Sequence, residues 1–294
     1  MSATRREDVE FQTFDGLTLR GWLYPGSGYG PGLIMTQGFN TPKEILLPDI
    51  AVWFQQQGLT VLLFDTRTIG ASDGEPRNDI KPAKLVEDYH DALTFLSSHP
   101  LVDPESIVYF GYSFSATVSL VAAALDKRAA CVLSATPIAN YNFRTAQRDA
   151  VLDLAMEDRV SQLAGNPPVY IPFVNDEGEN PAGWGERYSV EEFRRFLGAT
   201  FFTNQTTVQS YYHLNAWSPY SVMHLVSPTP VMMVTPAEDV LSTPENQRRL
   251  FDMIGEPKQF ELVPGKGHMD CLNGEGAETV LQKMLDFLKQ NLDF

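Results

Sequence analysis

A chain of 294 residues can bury a large core and fits one enlarged α/β domain or a core with an inserted lobe. Its formal net charge of −15 and pI near 4.7 weigh against nucleic acid and anionic membrane surfaces, which repel an acidic protein. No run approaches the ~18 apolar residues of a bilayer span, the start MSATRREDVE lacks a signal-like apolar stretch, and the 2 cysteines cannot form a zinc cluster; the expectation is a cytoplasmic protein without metal or cofactor.

From the N-terminus, Val9 to Thr13 and Leu17 to Tyr24 flank Asp15-Gly16, a hairpin signal. The apolar run Leu33 to Met35 leads into TQGFNTPKE, where Thr41-Pro42-Lys43-Glu44 has the form of a capping box. That predicts a helix over Ile45 to Gln57, stopped by Gly58. TVLLFD reads as a buried strand, and IKPAKLVEDYHDALTFLSSH as an amphipathic helix with Leu85, Tyr89, Ala92 and Leu96 on one side. Strand Ile107 to Phe110, a helix after Ser113 and strand Cys131 to Leu133 follow. Buried strands alternating with helices imply a mostly parallel sheet covered on both faces.

The alternation stops at Pro137 and resumes near Pro228. Structureless connections beyond about 15 residues are uncommon in compact domains, so this stretch must carry its own elements. Arg144 to Ala164 reads as a helix, and Ser189-Val190-Glu191-Glu192 caps a second one in VEEFRRFLGA. Tyr141, Phe143, Trp184, Phe193, Phe196, Phe201, Tyr211 and Trp217 are among the aromatics crowded here. The expected organisation is a core of residues 1–136 and 218–294 with a helical lid, 137–217, inserted after a core strand. The pattern then returns with strand Val231 to Thr235, a helix opened by Thr243-Pro244, strand Gln259 to Val263 and a last helix from Glu278 to Asn291.

Chemistry concentrates at strand ends. Gly111-Tyr112-Ser113-Phe114-Ser115 nearly spells G-x-S-x-G, the strand-to-helix elbow that presents a nucleophilic serine, with serine at its last small position. An ordinary βα turn is the plain alternative. A serine nucleophile needs an imidazole, itself oriented by a carboxylate, and in this kind of sheet the chain order is serine, acid, histidine. Of the 5 histidines, His268 alone follows a late strand, on the Gly-rich loop VPGKGHMD. Asp239 sits at the end of the strand before it, with Glu238 as its close competitor. The N–H groups of Phe114, after the serine, and Phe39, in TQGFN, are the candidate oxyanion donors. Gln37, Tyr112, Tyr141, Trp184 and Met269 are candidate substrate contacts, and the DTRTIGASDG loop is expected to pack beneath the elbow. Cys271 reads as a small packed residue rather than a nucleophile, and the Gly26–Gly30 cluster precedes a strand, which removes the helix a dinucleotide loop requires.

Taken together these residues resemble the α/β-hydrolase superfamily over nearly the whole chain. DTRTIGASDG is similar to its D-x-R-G-x-G-x-S-x-G loop, with Thr68 replacing the first glycine. LIMTQGFNTPKE, GYSFSATVSL, VTPAEDVLSTPE and VPGKGHMD more closely resemble fungal hydrolases and polyketide transferases encoded beside polyketide synthases. The resemblance implies acyl chemistry on a polyketide ester or thioester, delivered by a polyketide synthase carrier domain. Some relatives carry cysteine where this chain has Ser113, which favours hydrolysis or ester formation here over carbon–carbon chain fusion. A general carboxylesterase, an acyl-peptide hydrolase and a non-catalytic receptor on the same scaffold stay open. So does a homodimer. No nucleic acid or membrane partner is expected, and Arg144, Arg148 and Arg194-Arg195 form the one candidate basic patch for an acidic carrier.

Overall fold

The structure, a computed structural model, describes residues 6–141, 143–184 and 202–294. Ten strands and seven α-helices run in chain order among these residues. Eight strands build one sheet: β1 (Glu7–Gln12), β2 (Thr18–Tyr24), β3 (Gly30–Thr36), β4 (Thr60–Phe64), β5 (Val102–Tyr112), β6 (Cys131–Ala135), β9 (Val231–Pro236) and β10 (Lys258–Val263). Their spatial order is β1-β2-β4-β3-β5-β6-β9-β10, with the β1–β2 hairpin antiparallel and every pair from β4 onward parallel.

Strand periodicity sorts the core into two layers. Leu33 and Met35 of β3, Val108 and Phe110 of β5, and Met232 and Val234 of β9 face α1 (Leu47–Gln56) and α7 (Ala277–Asn291). Ile34, Tyr109 and Met233 face the other way, toward α2 (Pro82–Leu96), α3 (Phe114–Leu125) and α6 (Pro244–Asp252). Near-continuous apolar strands are what a sheet covered on both faces demands. Parallel strands also put all their carboxyl ends on one edge, where connecting loops collect functional groups.

Between β6 and β9 lie α4 (Thr145–Leu163), the two-residue pair β7 (Tyr170–Ile171) and β8 (Thr206–Thr207), and α5 (Val208–Asn215). Val151, Ala155, Trp184, Val208, Tyr211 and Leu214 of this insertion join the same apolar cluster as α2 and α3. Asn40 Nδ2 donates to Gln205 O (2.8 Å) and Thr206 Oγ1 (2.9 Å), and Thr207 Oγ1 donates to Asp79 Oδ1 (2.6 Å), so buried polar bonds tie it to the core as well. The expected helix over VEEFRRFLGA, its capping box, Phe193, Phe196, Phe201 and Arg194-Arg195 lie outside the described residues. Of the basic patch, Arg144 faces Glu179 at 3.7 Å and Arg148 faces Asp149 at 2.8 Å, so both guanidiniums already meet carboxylates.

One expectation needs correction. The helix predicted from a capping box at Thr41–Glu44 begins only at Leu47, and Thr41 Oγ1 donates instead to Phe39 O (2.9 Å). The reason is Asp65, whose Oδ1 accepts the Lys43 N–H (2.7 Å) and whose Oδ2 meets Lys43 Nζ (2.6 Å), holding residues 41–46 out of the helix. The DTRTIGASDG loop, expected to be structural, makes this contact through Asp65. It anchors the β3–α1 connection, with both partners of the ion pair 4% exposed or less. Breaking a buried pair strands the remaining charge. Asp65→Ala is expected to cost about 3 kcal/mol, toward the low end because Glu44 Oε1 stands 3.3 Å from Lys43 Nζ. Urea unfolding measures this, and a loss below ~1 kcal/mol would show the pair to be energetically idle.

Candidate active site

Strand β5 and helix α3 cross so closely that a Cβ on Gly111 would sit 2.1 Å from Ser115 O. Only glycine fits at position 111. Position 115 tolerates serine because its hydroxyl finds a partner: Ser115 Oγ donates to Gln37 O, stitching α3 to the loop after β3. Between them the chain must turn within one residue, and Ser113 takes φ 59°, ψ −120°. Backbone in such a sparsely populated region costs about 1–3 kcal/mol and persists only where the surroundings over-determine it. The turn leaves Ser113 half-buried at the carboxyl edge of the sheet.

Ser113 Oγ lies 2.8 Å from His268 Nε2, and His268 Nδ1 lies 2.8 Å from Asp239 Oδ2. A carboxylate can only accept, so Nδ1 carries the ring proton and Nε2 is left to accept from the serine hydroxyl. Asp239 is buried, whereas Glu238 is exposed and meets the histidine loop only through its backbone N–H, which donates to Lys266 O (2.9 Å). Asp239 is gripped from α6 and its approach: Oδ1 accepts the N–H groups of Leu241 and Ser242 (2.9 Å each), and Oδ2 accepts Gln247 Nε2 (2.9 Å). The histidine loop is shaped by Asp270, whose Oδ1 accepts the Gly267 N–H (2.7 Å). Sequence reasoning missed Gln247, Ser242 and Asp270. Gln247 carried a usable signal, being a polar residue on the face of α6 that also presents Leu250 and Phe251 inward.

The loop after β3 closes the site. A Cβ on Gly38 would stand 3.0 Å from Ser113 Cβ and 3.3 Å from its Oγ, so this backbone passes directly over the Ser113 side chain. Among the described residues no backbone partner is found for the N–H of Phe39 or of Phe114. Gln37, a candidate substrate contact, is buried. Its Oε1 accepts the Gly38 N–H (2.8 Å) and its Nε2 donates to Ile45 O, so it braces the loop from within. Tyr112 is likewise turned away from the cleft: buried in the layer beneath the sheet, it donates from its hydroxyl to His268 O (2.6 Å) and props the histidine loop. Tyr141 and Trp184 stand on the cleft side, their rings packed against Phe114 (6.3 Å) and Phe39 (4.9 Å) respectively. Met269 follows the histidine and is half-buried.

Cys271 and Cys131 are both fully buried, and burial pushes each thiol up to about 12. At pH 8 the thiolate fraction is then on the order of 10⁻⁴, and the thiolate is the reactive form. Iodoacetamide at pH 8 is expected to leave both unmodified in the folded protein and to label both in urea, read by intact mass. Fast labelling of the folded chain would mark a reactive thiol and reopen Cys271 as a nucleophile.

Comparison with known proteins agrees with this architecture. The Hydrolase_4 family model, described as serine aminopeptidase, S33, matches residues 45–273. Polyketide transferase af380 of Aspergillus fumigatus is 68% identical over 290 residues, covering 98% of this chain and 99% of that protein. A thiohydrolase of Eupenicillium brefeldianum is 45% identical, covering 97% of this chain and 94% of that protein. The crystal structure of the alpha/beta hydrolase GrgF from Penicillium sp. sh18 superposes with a TM-score of 0.92 at 46% identity, covering 99% of this chain and 100% of that one. The chain therefore belongs to the Hydrolase_4 family of α/β-hydrolases and is an enzyme.

Proposed function

We propose that this enzyme hydrolyses or transfers the acyl group of a polyketide ester or thioester, with Ser113 as nucleophile. The carrying observation is the unbroken line from Ser113 through His268 to Asp239, two contacts of 2.8 Å each, at a strained strand-to-helix turn. His268 takes the serine proton as Oγ attacks the carbonyl carbon and returns it to the leaving thiolate or alkoxide. Asp239 holds the imidazole in the required tautomer and stabilises the imidazolium while it exists. The N–H groups of Phe39 and Phe114 receive the oxyanion, and the start of α3 adds its dipole. Water or an alcohol then attacks the acyl-serine, His268 acting as base a second time.

Residues 137–217 form the lid in this reading, and its rings supply an apolar wall for a long acyl chain. The names of the full-length relatives, polyketide transferase and thiohydrolase, support a polyketide substrate and a role in fungal secondary metabolism. Delivery of the chain by a polyketide synthase carrier domain belongs to the same reading. A serine oxyester is readily resolved by water or alcohols, which favours hydrolysis or ester formation over carbon–carbon fusion.

Ser113→Ala is expected to lower kcat on an acyl-N-acetylcysteamine thioester by about 10⁶-fold. Turnover is followed as released thiol, and a variant retaining wild-type rates would remove Ser113 from the mechanism. Asp239→Asn should cost about 10⁴-fold in kcat, as expected when the imidazole is held in the wrong tautomer. Glu238→Gln at the exposed neighbour should change kcat less than about twofold, because surface substitutions away from the reacting groups are usually near neutral. The reverse ranking would assign the orienting carboxylate to Glu238. Efficient turnover of p-nitrophenyl acetate and butyrate would point to a general carboxylesterase instead.

A further inference from the structure

The rings around Ser113 are not uniformly hydrocarbon. Phe39 and Phe114 meet edge-on at 5.6 Å, and their own backbone N–H groups flank the serine. Trp184 stands edge-on to Phe39 at 4.9 Å, and Tyr141 lies 5.6 Å from Trp184. Phe143 stacks on Tyr141 at 5.9 Å, and Trp217 packs on Phe114 at 6.2 Å. Within this wall the Tyr141 hydroxyl and the Trp184 indole nitrogen are buried and have no hydrogen-bond partner among the described residues. Burial holds the Tyr141 hydroxyl well above the usual phenol range, so it is a protonated donor.

Folded proteins rarely bury a donor unmet, because its lost hydration is not repaid. Other hydroxyls in the neighbourhood are met: Asn180 Nδ2 donates to Tyr211 Oη (2.9 Å), and Tyr89 Oη donates to Phe110 O (2.8 Å). Nine buried side-chain polar atoms are unmet among the described residues, Asn140 Oδ1 and Arg144 Nε close by in the chain included, but Tyr141 Oη and Trp184 Nε1 are the two carried on rings that touch Phe39 and Phe114. A cavity of about 160 Å³ is lined by Asn140, Tyr141, Trp217 and Tyr220, and Trp184 packs behind Tyr141 rather than in its lining. Ile138, just before Ala139 in this lining, donates its N–H to Ser113 O (3.4 Å), which ties the backbone leading into the cavity wall to the Ser113 turn. Phenylalanine at both positions would line the same space without unmet donors.

We propose that Tyr141 and Trp184 recognise oxygen on the acyl chain: their O–H and N–H donate to a carbonyl oxygen a few bonds from the scissile thioester, selecting oxo-acyl over saturated chains. This rests on the acyl-transfer reading above and adds to it the feature of the chain that is read. The carbonyl supplies the missing acceptor, and the ring faces hold the hydrocarbon on either side. A saturated chain of equal length fills the wall but leaves both donors unmet, the situation in which hydrogen-bonding sites discriminate more strongly than apolar pockets.

The test compares 3-oxooctanoyl- and octanoyl-N-acetylcysteamine thioesters in the wild type, Tyr141→Phe and Trp184→Phe. The expected kcat/KM ratio favours the 3-oxo thioester by roughly tenfold or more in the wild type, and each substitution lowers that ratio several-fold. Melting temperature should not fall in Tyr141→Phe, since the hydroxyl removed has no partner to lose. A wild-type ratio near one, or a ratio unmoved in both folded variants, overturns the proposal. Binding of the corresponding non-hydrolysable amides to Ser113→Ala, read by calorimetry, makes the same comparison without turnover. Equal affinity for the two amides overturns oxygen recognition even where Ser113 is labelled by a fluorophosphonate. Preferential binding of the 3-oxo amide supports it even where Ser113 resists labelling and the acyl-enzyme reading fails.

Discussion

Everything at the site descends from one steric constraint, the contact of β5 with α3 at Gly111. With no side chain at 111, the two backbones close to a distance that even a methyl group would violate. The chain can make that approach only by turning sharply at Ser113, and the turn lifts the serine above the sheet edge. The same proximity brings the start of α3, the positive end of its dipole, up against the Ser113 turn. Packing, strain and electrostatics therefore act on one point because a single glycine permits the crossing.

The remaining parts are positioned by buried polar contacts rather than by apolar packing alone. Asp239 would swing freely at the end of β9 without the two N–H groups and the Gln247 amide that hold it. The loop over the serine is fastened at three places: by Gln37 to Ile45 O, by Ser115 to Gln37 O, and by the Lys43–Asp65 pair at its far end. Such buried polar groups give little net stability but penalise every alternative arrangement, because an unmade partner is costly in a dry interior.

Sequence periodicity makes the sheet, its helices and the Ser–Asp–His order legible, since alternation of apolar strands and helices is a local signal and strand-end residues follow from it. Ser113, Asp239 and His268 could be singled out because each ends a strand or sits on the loop beyond it. The start of α1 was not legible: Thr41-Pro42-Lys43-Glu44 satisfies the local rule for a cap, yet Asp65, far along the chain, takes the Lys43 N–H and overrides it. Gln37 reads as holding its loop or touching substrate, and it holds the loop; Tyr112 reads as a substrate contact, and its hydroxyl instead meets His268 O. Adjacency to a nucleophile in sequence says nothing about which side of the sheet a side chain enters, and on β5 that alternates with each residue. The insertion between β6 and β9 announces α4 and its aromatics, but the sequence reading misses α5 and the two-residue pair β7–β8 is too short to leave a pattern.

Asn40 stands next to Phe39 and bonds to Gln205 and Thr206 across the base of the insertion, while its own Oδ1 accepts from Asn78 Nδ2 at 2.8 Å. The Phe39 ring is meanwhile clasped by Phe173, Trp184 and Tyr211. The insertion and the loop after β3 are in this way one packed block rather than two modules. A chimaera that exchanges residues 137–217 between relatives brings new rings but unfastens the backbone at Gly38–Asn40. Diversification of substrate range in this lineage would then proceed by paired change, with the short loop after β3 travelling alongside the insertion that it grips.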